Sequence, residues 1–366
     1  MQLTGVFMGR TRINQPRAIT EKKIESLICE LLSQGQNAFP SERELAERTG
    51  GSRSVIRQIL VDFENNNRLH QTPNGRIINP DGNKIPVLFI ASGRNMISNP
   101  AWARLWLTFL NRAKNTPLAP ELFLIRFHAE EMAEDLLALS QKQASYIICC
   151  CDPGVPLPFQ QWENENRIVI FTDENALRYS KTVIALDNFK AGEMAAEELF
   201  QHDFRTPVIL APELPDANYI PFVRRVEGFA RKCSELGMDF QQERDCICVR
   251  YQKSRLQNYI RQTTKIAKLK RYDSLFLATD DQLFLVLEVL CDQQRPVPGG
   301  IGLITLNAQN NAQTGDIRVH AISHATDEIA EKLVQNIQAH AEGEFSQFPS
   351  CSIVPSIHQG ETLSLF

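Results

Sequence analysis

No stretch of this chain approaches the ~18 consecutive apolar residues of a membrane-spanning helix, so no transmembrane segment and no membrane partner are expected. The opening residues, MQLTGVFMGRTRINQPR, scatter arginines and lack the apolar run of a secretory leader, which predicts a cytoplasmic protein. Signatures of common enzyme families are missing too. No G-x-G-x-x-G follows the first strand of the body, and Walker A, G-x-S-x-G and H-E-x-x-H are absent. Nine cysteines occur, but none in a C-x-x-C pair, which argues against a zinc finger. Cys149, Cys150 and Cys151 end the apolar run SYIICCC and read as small residues of a buried strand, and Cys246 and Cys248 read the same way. His320 and His324 lie four apart but straddle a strand end, so one helix face does not offer both to a metal. Catalysis, a metal and a cofactor are therefore not expected.

What is present is a soluble, two- or three-domain composition: 366 residues, 43% hydrophobic and 22% charged. Charge is uneven. Residues 1–80 hold 11 basic and 8 acidic side chains, a net of +3, while the rest hold 28 and 35, a net of −7. A small basic head on an acidic body points to nucleic acid as the partner of the head.

Residues 1–19 show no periodicity and read as a flexible arm. From Thr20, an N-cap by type, Ile24, Leu27, Ile28, Leu31 and Leu32 form one apolar helical stripe that Gly35 ends. In FPSERELAERTGGSRSVIRQIL (39–60), Ser41 and Glu44 make a capping box for a short helix. Gly50 and Gly51 supply a turn, and Ser52 caps a third helix with Val55, Ile56, Ile59, Leu60 and Phe63 inside. This order predicts a helix-turn-helix, whose last helix enters the major groove by its N-terminal residues. Asn74-Gly75 then signals a hairpin, a wing whose tip has Arg76 beside it.

PSERELA, then GSRSVIRQIL and a glycine-tipped wing, together resemble the winged helix-turn-helix head of the GntR family of bacterial transcription regulators. That resemblance implies DNA contacts from Arg43, Ser52, Arg53, Ser54, Arg57 and Gly75, with Arg76 beside the last. Two positions depart from the family pattern. Gly51 stands where an apolar residue is usual, and the wing has one glycine rather than two.

Residues 80–84 read as a linker, and residues 85–366 alternate ten short apolar runs with amphipathic stretches. Such alternation predicts an α/β body of parallel sheets flanked by helices, split into two lobes with a cleft at the carboxyl ends of the strands. TVIALDNFKAGEMAAEEL (182–199), FVRRVEGFARKCSELG (222–237), ATDDQLFLVLEVLCDQQRPVPGGIGLITLN (278–307) and SIVPSIHQGET (352–362) resemble, in order and spacing, the LacI/GalR regulators and the periplasmic sugar-binding proteins of the same type I fold. A GntR-type head (20–79) on a LacI-type body resembles the arabinose repressors of Gram-positive bacteria.

The second resemblance implies a sugar-like effector bound at Asp173, Arg225, Asp280, Asp281 and Asn307. Planar Asp, Asn and Arg groups can each hold two neighbouring hydroxyls, and a site so built penalises a ligand lacking them. Asp280, Asp187 and Asn188 are also natural helix N-caps. Ser92, Arg94 and Asn95 follow the first body strand and can line the cleft, and Trp102 or Trp106 can stack on a sugar or pack in a helix core. An acidic pair replaces the usual Asn-Asp, Asn307 an aspartate and Gln359 an arginine, so the pocket is not that of a standard hexose. The expected whole is a homodimeric, operator-binding repressor that senses a small molecule. A regulator whose body only dimerises, a periplasmic binding protein and an enzyme are the alternatives.

Overall fold

The computed structural model describes residues 17–65, 68–73, 75–79, 82, 84–93, 96, 100–126, 128–150, 155–213, 219–250, 255–280, 282–306, 313–314 and 317–364. The chain divides into two compact units, Met1–Ile85 and Pro86–Phe366.

The first unit holds helices α1 (Arg17–Ser33), α2 (Glu42–Thr49) and α3 (Arg53–Asn65) and a hairpin of β1 (Leu69–Thr72) and β2 (Gly75–Ile78). Ile24, Ile28, Leu45, Ile56, Ile59, Leu60, Phe63, Leu69 and Ile78 close one core, as the helical stripes require. Helix α1 starts at Arg17, so Thr20 is not its cap; it is fully buried inside the first turns. The capping box is formed: Glu44 N–H donates to Ser41 Oγ at 3.4 Å, and Ser41 N–H donates to Glu44 Oε2 at 2.8 Å. Gly50 ends α2 in the left-handed conformation, φ +75°. A Cβ on Gly51 would sit 2.6 Å from Thr20 Cγ2, which explains why no apolar side chain stands there. The hairpin differs from expectation. Thr72 pairs with Gly75, so Gly75, at φ +119°, already belongs to β2, and Asn74 lies outside the described residues. Pro73 fixes a negative φ and cannot be the first residue of an Asn-Gly type turn.

The second unit runs β3 (Ile85–Ser92), α4 (Pro100–Ala113), β4 (Leu118–Ile125), α5 (Ala129–Ser140), β5 (Tyr146–Cys150), α6 (Phe159–Asn164), β6 (Ile168–Phe171), a 3-10 turn (Glu174–Arg178) and β7 (Ile184–Leu186). It continues with α7 (Asn188–Gln201), β8 (Pro207–Glu213), α8 (Ile220–Leu236), α9 (Gln242–Asp245), β9 (Cys246–Arg250), α10 (Arg255–Lys268), β10 (Ser274–Leu277), α11 (Leu283–Asp292) and β11 (Gly302–Leu306). Last come β12 (Gln313–Thr314), β13 (Ile317–Arg318), β14 (His320–Ile322), α12 (Thr326–Ala341), β15 (Cys351–Ile353) and β16 (Ile357–His358).

One sheet has the order β4-β3-β5-β6, with β5 parallel to both neighbours. A parallel bridge from Phe171 to Val183 leads on to β7, which pairs in parallel with β15. The other sheet has the order β16-β14-β11-β10-β8-β9, parallel except at β16. The chain passes between the sheets three times: from β7 into α7, from β14 into α12, and from β15 to β16. Helix α7 buries Ala191, Ala195 and Leu199 in the core of the second sheet, while Asp327 of α12 accepts hydrogen bonds from Arg104 and Thr108 of α4 on the first. The run 317–323, expected as one strand, is two. β13 pairs with β12, and β14 pairs with β11. Cys149 and Cys150 are buried in β5, but Cys246 is half-buried and Cys248 exposed because β9 is a sheet edge.

Candidate functional site

Two polar surfaces stand out, one in each unit. In the first, α3 turns its apolar face to the core and presents Arg53, Ser54 and Arg57 outward from its first turns. Ser52 Oγ accepts from the Val55 N–H at 3.3 Å and lies 3.1 Å from Ser54 Oγ. Glu42 at the start of α2 gathers the cations. Its carboxylate accepts from Arg57 Nη2 at 3.0 Å, and Arg76 Nη1 approaches it at 3.7 Å. The Arg57 bond holds the Glu42 carboxyl below the usual carboxylate range. Arg76 also donates to Glu64 at 2.6 Å, and exposed Arg43 pairs with Glu47 one turn on at 3.3 Å. Ala38 bridges Ile77, and Phe39 N–H donates to Arg76 C=O at 2.9 Å, so the hairpin is anchored beside the helices.

In the second unit, strand ends converge. Asp173 follows β6, Asp187 follows β7, Ala278 follows β10 and His324 follows β14. The centre is Arg225, 6% exposed, on α8. It donates from Nε to Asn188 Oδ1 at 2.7 Å and from Nη1 to Ala278 C=O at 2.8 Å, and it lies 5.0 Å from the Phe222 ring. Asn188 in turn donates to Glu174 Oε2 at 2.7 Å. Glu174 also pairs with Arg224 at 2.9 Å, yet burial pushes its pKa up. Asp173 accepts from Asn175 N–H at 2.7 Å and from the Tyr219 hydroxyl. His324 stands 5.7 Å from the Trp102 ring, and its Nδ1 has no hydrogen-bond partner among the described residues. Burial, with the Arg225 charge nearby, lowers the His324 pKa to about 4. The result is a connected set of charged and polar groups around Arg225, with the Phe222 ring beside it.

No family model matches this chain, and no curated protein matches it. Solved structures do. The body has the periplasmic-binding-protein-like fold of LacI-family effector domains. The transcriptional regulator CelR in complex with cellobiose aligns with a TM-score of 0.62 at 12% identity, over 95% of this chain and 100% of that one. A LacI-family regulator from Enterococcus faecium with bound ribose aligns with a TM-score of 0.59 at 14% identity, over 75% and 98%. The Escherichia coli transcriptional repressor AscG aligns with a TM-score of 0.59 at 12% identity, over 76% and 99%. No helix among the described residues is long and apolar enough to cross a membrane.

Of the residues expected in the cleft, Asp173, Arg225 and Asp280 lie at strand ends or on α8 as described, while Asp281, Asn307, Arg94 and Asn95 fall outside the described residues. Asp187 caps α7 by accepting from Lys190 N–H at 3.0 Å. Asn188 does not cap; as the first helical residue it joins Glu174 to Arg225. Asp280 does not cap α11 either, since Gln282 holds that position. Ser92 is buried at the end of β3. Trp106 packs on Phe89 at 5.3 Å in the core, whereas Trp102 stands beside His324. Glu174 and Tyr219 were not singled out from sequence, and His324 was weighed only as a metal ligand. Only proximity in the fold joins them, although Glu174 directly follows Asp173.

Proposed function

We propose that this chain is a DNA-binding transcription regulator, a GntR-type winged helix-turn-helix (20–79) joined by a linker (80–84) to a LacI-type effector and dimerisation body (85–366). Arg43, Ser52, Arg53, Ser54, Arg57, Gly75 and Arg76 hold the operator, and Asp173, Arg225, Asp280, Asp281 and Asn307 hold a sugar-like effector. The chain acts in the cytoplasm as a homodimer, a repressor rather than an enzyme. One observation carries this reading. The first turns of α3 offer two exposed arginines four residues apart, backed by a sealed apolar face. Arginine pairs bidentately with guanine O6 and N7, and a helix N-terminus favours phosphate.

Glu42 supports the reading in a second way. It holds Arg57 and brings Arg76 to the same carboxylate, which gathers both guanidinium groups beside the start of α3. Two such heads in a dimer would meet half-sites about 34 Å, or a multiple, apart. A ligand in the cleft changes DNA affinity only as far as DNA changes ligand affinity. The cellobiose and ribose of the two similar regulators make a sugar the first class to try. Selection of bound duplexes from a random pool tests the head, and recovery of no enriched sequence would overturn the proposal.

A further inference from the structure

On the second unit, away from the residues that converge on Arg225, three metal-ligating side chains meet. Glu198 lies in the last turn of α7 and His202 caps that helix one turn later, so the two share a face. His320 opens β14, which the sheet turns toward them. The three ligand atoms lie within 4.8 Å of one another. His320 Nε2 stands 2.8 Å from Glu198 Oε2, and the His202 and His320 rings are 5.4 Å apart at 78°. Glu198 and His320 are buried, and His202 is half-buried. His320 is wholly enclosed. A carboxylate buried against an imidazole is a costly way to fill a core. Three such ligands around one centre are a common way to hold a cation.

We propose that Glu198, His202 and His320 bind one divalent transition metal ion of the zinc class. Two imidazoles and one carboxylate are the donor set of three-ligand zinc sites, with a fourth position left for water or another donor. Magnesium and calcium prefer all-oxygen shells and are disfavoured. Partial exposure of His202 gives the ion a way in. From sequence His320 pairs only with His324 and no metal is expected; in the fold the two histidines sit at opposite ends of β14, and the partners of His320 come from α7 instead. His324 faces Trp102, and His320 faces His202. Helix α7 repeats the relation, with Asn188 at the end that meets Arg225 and His202 at the other. An ion here would therefore brace two elements whose other ends lie beside Arg225.

The test is calorimetric titration of zinc into the chelator-treated full-length chain, beside cobalt(II) absorption spectra and thermal melting. The wild type should bind one tight equivalent per chain and melt higher with zinc. Cobalt should give a tetrahedral spectrum without a thiolate charge-transfer band, which sets this site apart from the cysteines. His202→Ala is half-exposed and should fold. It should lose that equivalent, or at least tenfold in affinity, together with the zinc-dependent rise in melting temperature. His320→Gln serves as a second variant with the same expected loss. Equal zinc binding by wild type and His202→Ala, or a cobalt spectrum dominated by thiolate, would overturn the proposal.

Discussion

Gly192 on α7 and Gly228 on α8 are each other's reason for being glycine. A Cβ at Gly192 would come within 2.0 Å of the Arg225 carbonyl oxygen, and a Cβ at Gly228 within 2.0 Å of the Phe189 carbonyl oxygen. The two helices therefore touch backbone to backbone, and this contact seats Arg225 beside Asn188. Ala normally stabilises a helix over Gly by about 1 kcal/mol. Here the clash should win: Gly192→Ala and Gly228→Ala should each lower stability by about 1–3 kcal/mol. Denaturant unfolding checks the sign, and a gain in stability would disprove the close approach.

Arg225→Ala strands the Asn188 amide oxygen and the Ala278 carbonyl in a buried site, which costs about 1–3 kcal/mol. The same variant should lose effector response. Arg225→Lys keeps the charge but not the planar fork, so it should retain more stability than the alanine and still fail to respond. Melting curves with and without ligand separate the two effects.

Arg57→Ala should leave the melting temperature nearly unchanged, because the Arg57–Glu42 pair is exposed on the arginine side. Discrimination between operator and random duplex should fall roughly 5- to 150-fold if Arg57 reads a base. Glu42→Gln frees Arg57 and Arg76 from their shared carboxylate and should raise non-specific binding. Fluorescence anisotropy on the two duplexes, at one stated salt concentration, reads both outcomes.

His324 makes stability depend on acidity. Its pKa falls from 6.5 to about 4 on folding, so the unfolded chain binds the proton more tightly. The stability His324 permits is complete above pH 6.5 and is lost as pH falls toward 4, up to about 3 kcal/mol. His324→Gln should flatten the pH dependence between 6.5 and 4 relative to the wild type. Parallel slopes for the two proteins would show that the imidazole is not buried next to Arg225.

Local features were legible in the sequence because their physics is local. The capping box at Ser41 and Glu44, the Gly50 turn and the strand–helix alternation depend on residues a few positions apart. The R-V-E-G-F and A-G-E segments were legible as motifs, but their cause, two helices in backbone contact, needs the fold. Thr20 misled because a threonine that can cap a helix can equally fill a buried gap next to Gly51. Asn188 misled similarly, since the same amide that caps a helix can bridge Glu174 and Arg225. Glu198, His202 and His320 are separated by more than a hundred residues at their widest, so no spacing rule could have joined them.

The central claim is that a small molecule in the cleft adjusts how the head holds DNA. Its most direct test is the affinity of the full-length chain for a selected operator, measured with and without a sugar that raises the melting temperature. The expected result is an operator bound at least ~10³-fold more tightly than random duplex, with the sugar changing that affinity at least ~5-fold. Equal affinity for operator and random duplex, or operator affinity indifferent to a sugar that demonstrably binds, would contradict it.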